Sequence, residues 1–141
     1  MHRLRLFALI CCALLPSACR ERDRSGVCNP IKTATRVVVQ WSHSITQSDG
    51  LITDPVRIHD LTAFANARRD ASRPSLYTMP APQVTAAFYD GDHFLGGIGA
   101  GQNFLFVSCA AWSGIRDATP AELETFKGLI SSAAPSPKPK P

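Results

Sequence analysis

Asp90, Asp92 and His93 stand within four residues of one another, and a glycine run comes after them in YDGDHFLGGIGAGQNFLF, residues 89–106. Carboxylates and imidazole are the oxygen and nitrogen donors of metal sites. Glycine-rich turns that open a helix aim their N–H groups at phosphate. These are the two chemistries the stretch offers, and the spacing completes neither. Asp90-Gly91 is a hairpin signal, with the Asp90 side chain expected to hold the turn. That leaves Asp92 and His93, neighbours on a strand whose side chains point to opposite faces. Further ligands would have to come from His43 or His59, and nothing in the spacing brings these together. Gly97, Gly99 and Gly101 give G-x-G-x-G, not G-x-G-x-x-G, and a strand comes next instead of a helix N-terminus. They read as a turn over Gly99–Asn103, or as positions where another backbone comes close. No metal and no cofactor is assigned.

Nucleophilic chemistry is weaker still. Ser42-His43-Ser44 is a trio of neighbours in sequence, whereas triad roles must be met in space. No catalytic residue is assigned, and the chain is read as a non-enzyme. Charge excludes a nucleic-acid partner: beyond the first 19 residues, thirteen Lys and Arg meet eleven Asp and Glu. No basic stripe with interleaved aromatics is present.

The N-terminus sets the compartment. His2, Arg3 and Arg5 precede the apolar run LFALICCALL, residues 6–15. Ten residues are too few for a membrane-spanning helix, which needs about 20, and they fit the core of a secretion signal. Leu14-Leu15-Pro16-Ser17-Ala18-Cys19 resembles a bacterial lipobox, departing from it at Pro16. The resemblance covers the first 19 residues. It implies a small proteobacterial envelope lipoprotein, lipidated at Cys19. Arg20 in place of an Asp implies the outer membrane. Ordinary cleavage nearby, releasing a soluble secreted protein, is the alternative.

Export sorts the cysteines. Cys11 and Cys12 leave with the signal, and Cys19 carries lipid. Cys28 and Cys109 remain in an oxidising compartment, where an even pair reads as one disulfide. The long loop it closes would stabilise by about 4 kcal/mol in the chain-entropy model. Two buried thiols are the other reading.

Periodicity marks the elements that would position these groups. Residues 1–18 are the signal, 19–34 a lipidated tether that becomes ordered near Cys28, 35–132 one domain, and 133–141 a solvated Pro/Lys tail. Val37, Val39 and Trp41 alternate with Arg36, Val38 and Gln40 and predict a strand with one buried face. Ser48-Asp49-Gly50 reads as a turn. Asp54-Pro55 starts a helix, with Ile58, Leu61, Phe64 and Ala65 inward and Arg57, Asn66 and Arg69 outward. Residues 70–82 read as a long loop whose Tyr77 and Met79 cover an edge of the core. Gln83–Tyr89, His93–Ile98 and Phe104–Cys109 form a meander. Thr119-Pro-Ala-Glu122 is a capping box opening a helix with Leu123, Phe126, Leu129 and Ile130 on its apolar face. The order is β-α-β-β-β-α, an α+β fold with two helices packed on one face of an antiparallel sheet.

What remains is a binding surface. Asp92, His93 and Phe94 lie at one end of the middle strand, and Gln102 and Asn103 at the other. Trp112 and Arg116 come after the third strand. Trp112 is either a contact residue or a plug at the core edge. The glycine-rich strand offers a sheet edge for β-addition. The expected function is a membrane-tethered module binding an envelope or periplasmic protein, such as an inhibitor or immunity protein against a toxin or lytic enzyme. The alternatives are a structural accessory of an envelope assembly, and a small metal-binding protein or hydrolase using His43, His59 or His93.

Overall fold

The computed structural model describes residues 29–42, 49–69, 73–74, 80–109 and 112–135. The signal, Cys19, Cys28, His43, Tyr77, Met79 and the tail from Ser136 lie outside the described residues. The described chain runs β1 (Arg36–Trp41), β2 (Gly50–Ile52), α1 (Pro55–Asn66), β3 (Arg73–Pro74), β4 (Val84–Asp90), β5 (His93–Ala100), β6 (Phe104–Cys109), β7 (Trp112–Asp117), α2 (Pro120–Ile130) and β8 (Ala134–Pro135). It is an α+β fold on an antiparallel sheet, in the order β3-β7-β6-β5-β4-β1-β2-β8.

Four strands are additional to the expected β-α-β-β-β-α order. Gly50, read as a turn residue, begins β2, which is three residues long and too short to show alternation. β7 pairs with β6 through a connection of only Ala110 and Ala111, which carries no Gly, Asn or Asp to announce a hairpin. β5 extends to Ala100, so the turn expected over Gly99–Asn103 shrinks, with Gly99 inside the strand. β5 is also central, between β4 and β6, and offers no edge for strand addition. The outer strands β3 and β8 are two residues each and end in proline, which has no N–H to give an incoming strand.

Alternation builds the core. Val37 and Val39 on β1, Ala86 and Phe88 on β4, Ile98 on β5 and Leu105 and Val107 on β6 are fully buried. Pairing aligns them across the sheet, with Val39 opposite Ala86, Ala86 opposite Ile98, and Ile98 opposite Val107. Ile58, Leu61, Phe64 and Ala65 from α1 and Leu123, Phe126 and Ile130 from α2 join the same cluster. The helices meet through Phe64 and Phe126, stacked with centroids 5.8 Å apart. Both helix starts are as the sequence predicts. The Asp54 carboxylate accepts the Arg57 N–H, and Thr119 with Glu122 closes a capping box.

The core reaches beyond the bounds drawn from sequence. Ile31, within the segment read as tether, is 4% exposed and belongs to the cluster. Ala133, the first residue of the expected tail, packs against the cluster. The two residues after it pair with β2.

One glycine governs the central strand. The β4–β5 register shifts after Phe88, which pairs with Gly96, whereas Tyr89 pairs with Phe94. Leu95 is therefore the extra residue of a bulge. Gly96 sits at φ +152°, and a Cβ there would stand 2.8 Å from the Ser108 carbonyl oxygen and 3.1 Å from Arg69 Nη2. Gly91 also has positive φ but faces open space. Gly96→Ala is therefore expected to cost roughly 3 kcal/mol, from strain and overpacking together, and Gly91→Ala about 1 kcal/mol from backbone alone. Urea unfolding of the two variants checks this. Equal midpoints would remove the close approach as the reason for glycine at position 96.

Candidate functional site

The tip of the β4–β5 hairpin is Gly91 and Asp92, between the paired Asp90 and His93. Gly91 adopts φ +56°, a region open to glycine without a Cβ penalty. The turn is tied from outside, by Thr35. Its hydroxyl accepts the Gly91 N–H at 3.0 Å and donates to the Tyr89 carbonyl at 3.3 Å. Asp90, expected to hold the turn, instead accepts from the Thr33 hydroxyl at 3.3 Å.

Arg36 rises from β1 beside this tip, opposite Tyr89 in the register. Its Nε donates to the Gly91 carbonyl at 2.9 Å, and its Nη2 to Asp92 Oδ1 at 3.0 Å. Its guanidinium lies 4.9 Å from the centre of the Tyr89 ring. Tyr89 in turn meets Phe94 edge to face, centroids 5.7 Å apart. The ion pair adds little stability, because Asp92 is fully exposed to solvent, and the cation–π contact at such a site adds about 1 kcal/mol at most. Their larger effect is to hold a cation and two aromatic rings in one arrangement at the surface. The Leu95 bulge supplies the last part of that geometry, because it sets Phe94, not Leu95, opposite Tyr89.

Asp92 and Phe94 thus come together with Arg36 and Tyr89, whereas His93, paired with Asp90 and next to Phe94 on the strand, points to the other face. The sequence carried no signal for Arg36 or Tyr89 beyond their outward positions on alternating strands. Gln102 and Asn103 are exposed at the far end of β5, where the Asn103 carbonyl accepts the Ala118 N–H. Trp112 is half-buried opposite Cys109, with its indole nitrogen out of contact with solvent. Cys109 is disulfide-bonded. His59 and His93 are exposed on different elements. Among the described residues no group of three His, Cys, Asp or Glu is placed to hold a metal. No described helix is long and apolar enough to cross a membrane.

Arg116 is committed to structure. Its Nη1 and Nη2 donate to Glu122 Oε1 and Oε2 at 3.1 and 3.4 Å. Arg68, just past α1, donates to the same Oε1 at 3.2 Å and stacks over Phe64. Glu122 also accepts the Thr119 N–H at 3.0 Å. One carboxylate therefore joins β7, the end of α1 and the start of α2. The Thr119 backbone N–H holds its pKa below the ordinary value of 4.5, with help from Arg116, the Thr119 hydroxyl and Arg68, against partial burial, which raises it.

No protein-family model matches the chain, and no curated protein or solved structure matches it.

A folded-state pKa depressed below the unfolded value stabilises above that unfolded value, and the contribution fades as pH falls through the folded one. The wild type is therefore expected to lose Glu122-linked stability below about pH 4.5. Glu122→Gln keeps an acceptor for the Thr119 N–H but loses the ionic bonds, at a cost of roughly 1 kcal/mol at pH 7. Chemical unfolding between pH 7 and 3 should show the variant with the flatter acid limb. Parallel curves would mean that Glu122 carries no linked charge effect.

Proposed function

We propose that this chain is a non-enzymatic, membrane-tethered module of the periplasm that binds another envelope protein. It acts by occupying that partner's surface, as an inhibitor or immunity protein does against a toxin or lytic enzyme. The observation that carries the reading is the pre-organised patch of Arg36, Tyr89, Phe94 and Asp92. Tyr and Arg are enriched among the residues that dominate binding energies. Side chains already held by neighbours lose less freedom when a partner immobilises them.

The reading takes both helices to cover one face of the sheet, which their shared core cluster and the Phe64–Phe126 contact support. Tyr89 comes directly after buried Phe88 on β4 and so points the other way, placing the patch on the face the helices leave open. Membrane attachment rests on the lipobox-like LLPSAC and on Cys19, with the outer membrane as the destination. A tether would raise the effective concentration of the module near a membrane-bound target.

The test is capture of the tagged, full-length chain from its native envelope after mild solubilisation. A stoichiometric toxin or lytic enzyme is the expected companion. Arg36→Ala or Phe94→Ala should each lower its recovery by about tenfold, the effect of a residue contributing near 1.4 kcal/mol. Gln102→Ala, at the other end of β5, should leave it unchanged. Loss with Gln102→Ala alone would move the site to the opposite turn, and recovery of a large assembly would indicate an accessory role. Separately, Cys19→Ala should abolish lipid labelling and release the domain from membranes. Retention of both would end the lipoprotein reading and leave the soluble alternative.

A further inference from the structure

The approach to β1 is fastened by groups the sequence pattern placed elsewhere. Asn66, read as outward-facing, turns its carboxamide onto the backbone of Ile31. Its Oδ1 accepts the Ile31 N–H at 3.0 Å, and its Nδ2 donates to the Ile31 carbonyl at 3.0 Å. A neighbouring strand would make the same two-bond exchange with a facing residue, and here one side chain supplies it. Arg69, also read as outward-facing, is only 6% exposed. Its Nη1 donates to the Asn29 carbonyl.

The room for Arg69 comes from β5. The absent Cβ of Gly96 leaves space shared by Arg69 Nη2, the Ser108 carbonyl oxygen and, 3.7 Å away, Ile31 Cδ1. The segment 29–31, the end of α1, the β5 bulge and the end of β6 therefore converge on one spot. Cys109 is next in sequence to Ser108 and is disulfide-bonded. Cys28 directly precedes Asn29.

We propose that Asn66 and Arg69 make residues 29–31 a clamp, and that the disulfide partner of Cys109 is Cys28, the residue directly before that segment. A pull on the N-terminal segment then passes into the end of α1 and the centre of the sheet instead of peeling β1 from its neighbours. Burying a guanidinium is costly unless its donors are satisfied, so its place beside this segment marks a junction that must hold. The bond forms when the two thiols give up two protons and two electrons to a disulfide-carrying oxidoreductase, which leaves as the dithiol. The proposal takes the origin of the pull from the tether reading, but the bond and the clamp stand without lipid.

The experiment joins non-reducing peptide mapping of the full chain from its envelope with hydrogen exchange at the Ile31 amide. The expected map contains a Cys28–Cys109 linked peptide. Asn66→Ala should speed exchange at Ile31 by about tenfold, the size of one lost hydrogen bond, and leave the Ile98 amide unchanged. Arg69→Lys, which keeps the charge but not the fork, should loosen Ile31 in the same selective way. Linkage of Cys109 to another cysteine would overturn the bond. Unchanged exchange at Ile31, or equal loosening of Ile98, would overturn the clamp. Repeating both measurements in Cys19→Ala separates this failure from that of the lipoprotein reading, because the clamp predicts the same result with and without lipid.

Discussion

A strand that must bend around a buried arginine cannot carry a side chain at the bend. That constraint sits at Gly96, where the Ser108 carbonyl and the Arg69 guanidinium occupy the space a Cβ would need. The bulge there has two consequences in opposite directions. Inward, it turns Leu95 against the core and admits Arg69 and Ile31. Outward, it resets the hairpin so that Tyr89 and Phe94 face one another. The surface patch and the fastening of the N-terminal segment thus depend on one local departure from regular pairing.

Away from that bend, a small set of polar side chains joins elements far apart in sequence. Glu122 ties β7 and the end of α1 to the start of α2. Asn66 ties the end of α1 to the segment before β1. Each acts at a helix end, where backbone groups need partners and where a small domain is most open to fraying. Arg116 is drawn into this internal work, which removes it from the surface the sequence suggested. Arg36, which the sequence did not single out, takes its place as the cation presented beside aromatic rings.

The amino-acid sequence by itself determined where most elements begin and which residues face the core. Asp54-Pro55 and Thr119-Pro-Ala-Glu122 are local signals, completed within one turn of helix. The alternation of Val37, Val39 and Trp41, and of Val84, Ala86 and Phe88, is equally local. It also excluded a phosphate loop at the glycine run, because those glycines lead into a strand. Tertiary structure decided what local pattern cannot carry. β2 and β7 are strands because neighbours pair with them, not because their sequences alternate. Arg69 is buried because α1 ends at Asn66 and the helical period no longer governs the chain past it, and half-buried Asn66, on the last turn, is claimed by the backbone of Ile31. Arg36 meets Tyr89, and Gly96 meets Arg69, through contacts between residues distant in sequence. Such contacts form only when the sheet register is set, and periodicity along the chain holds no record of that register.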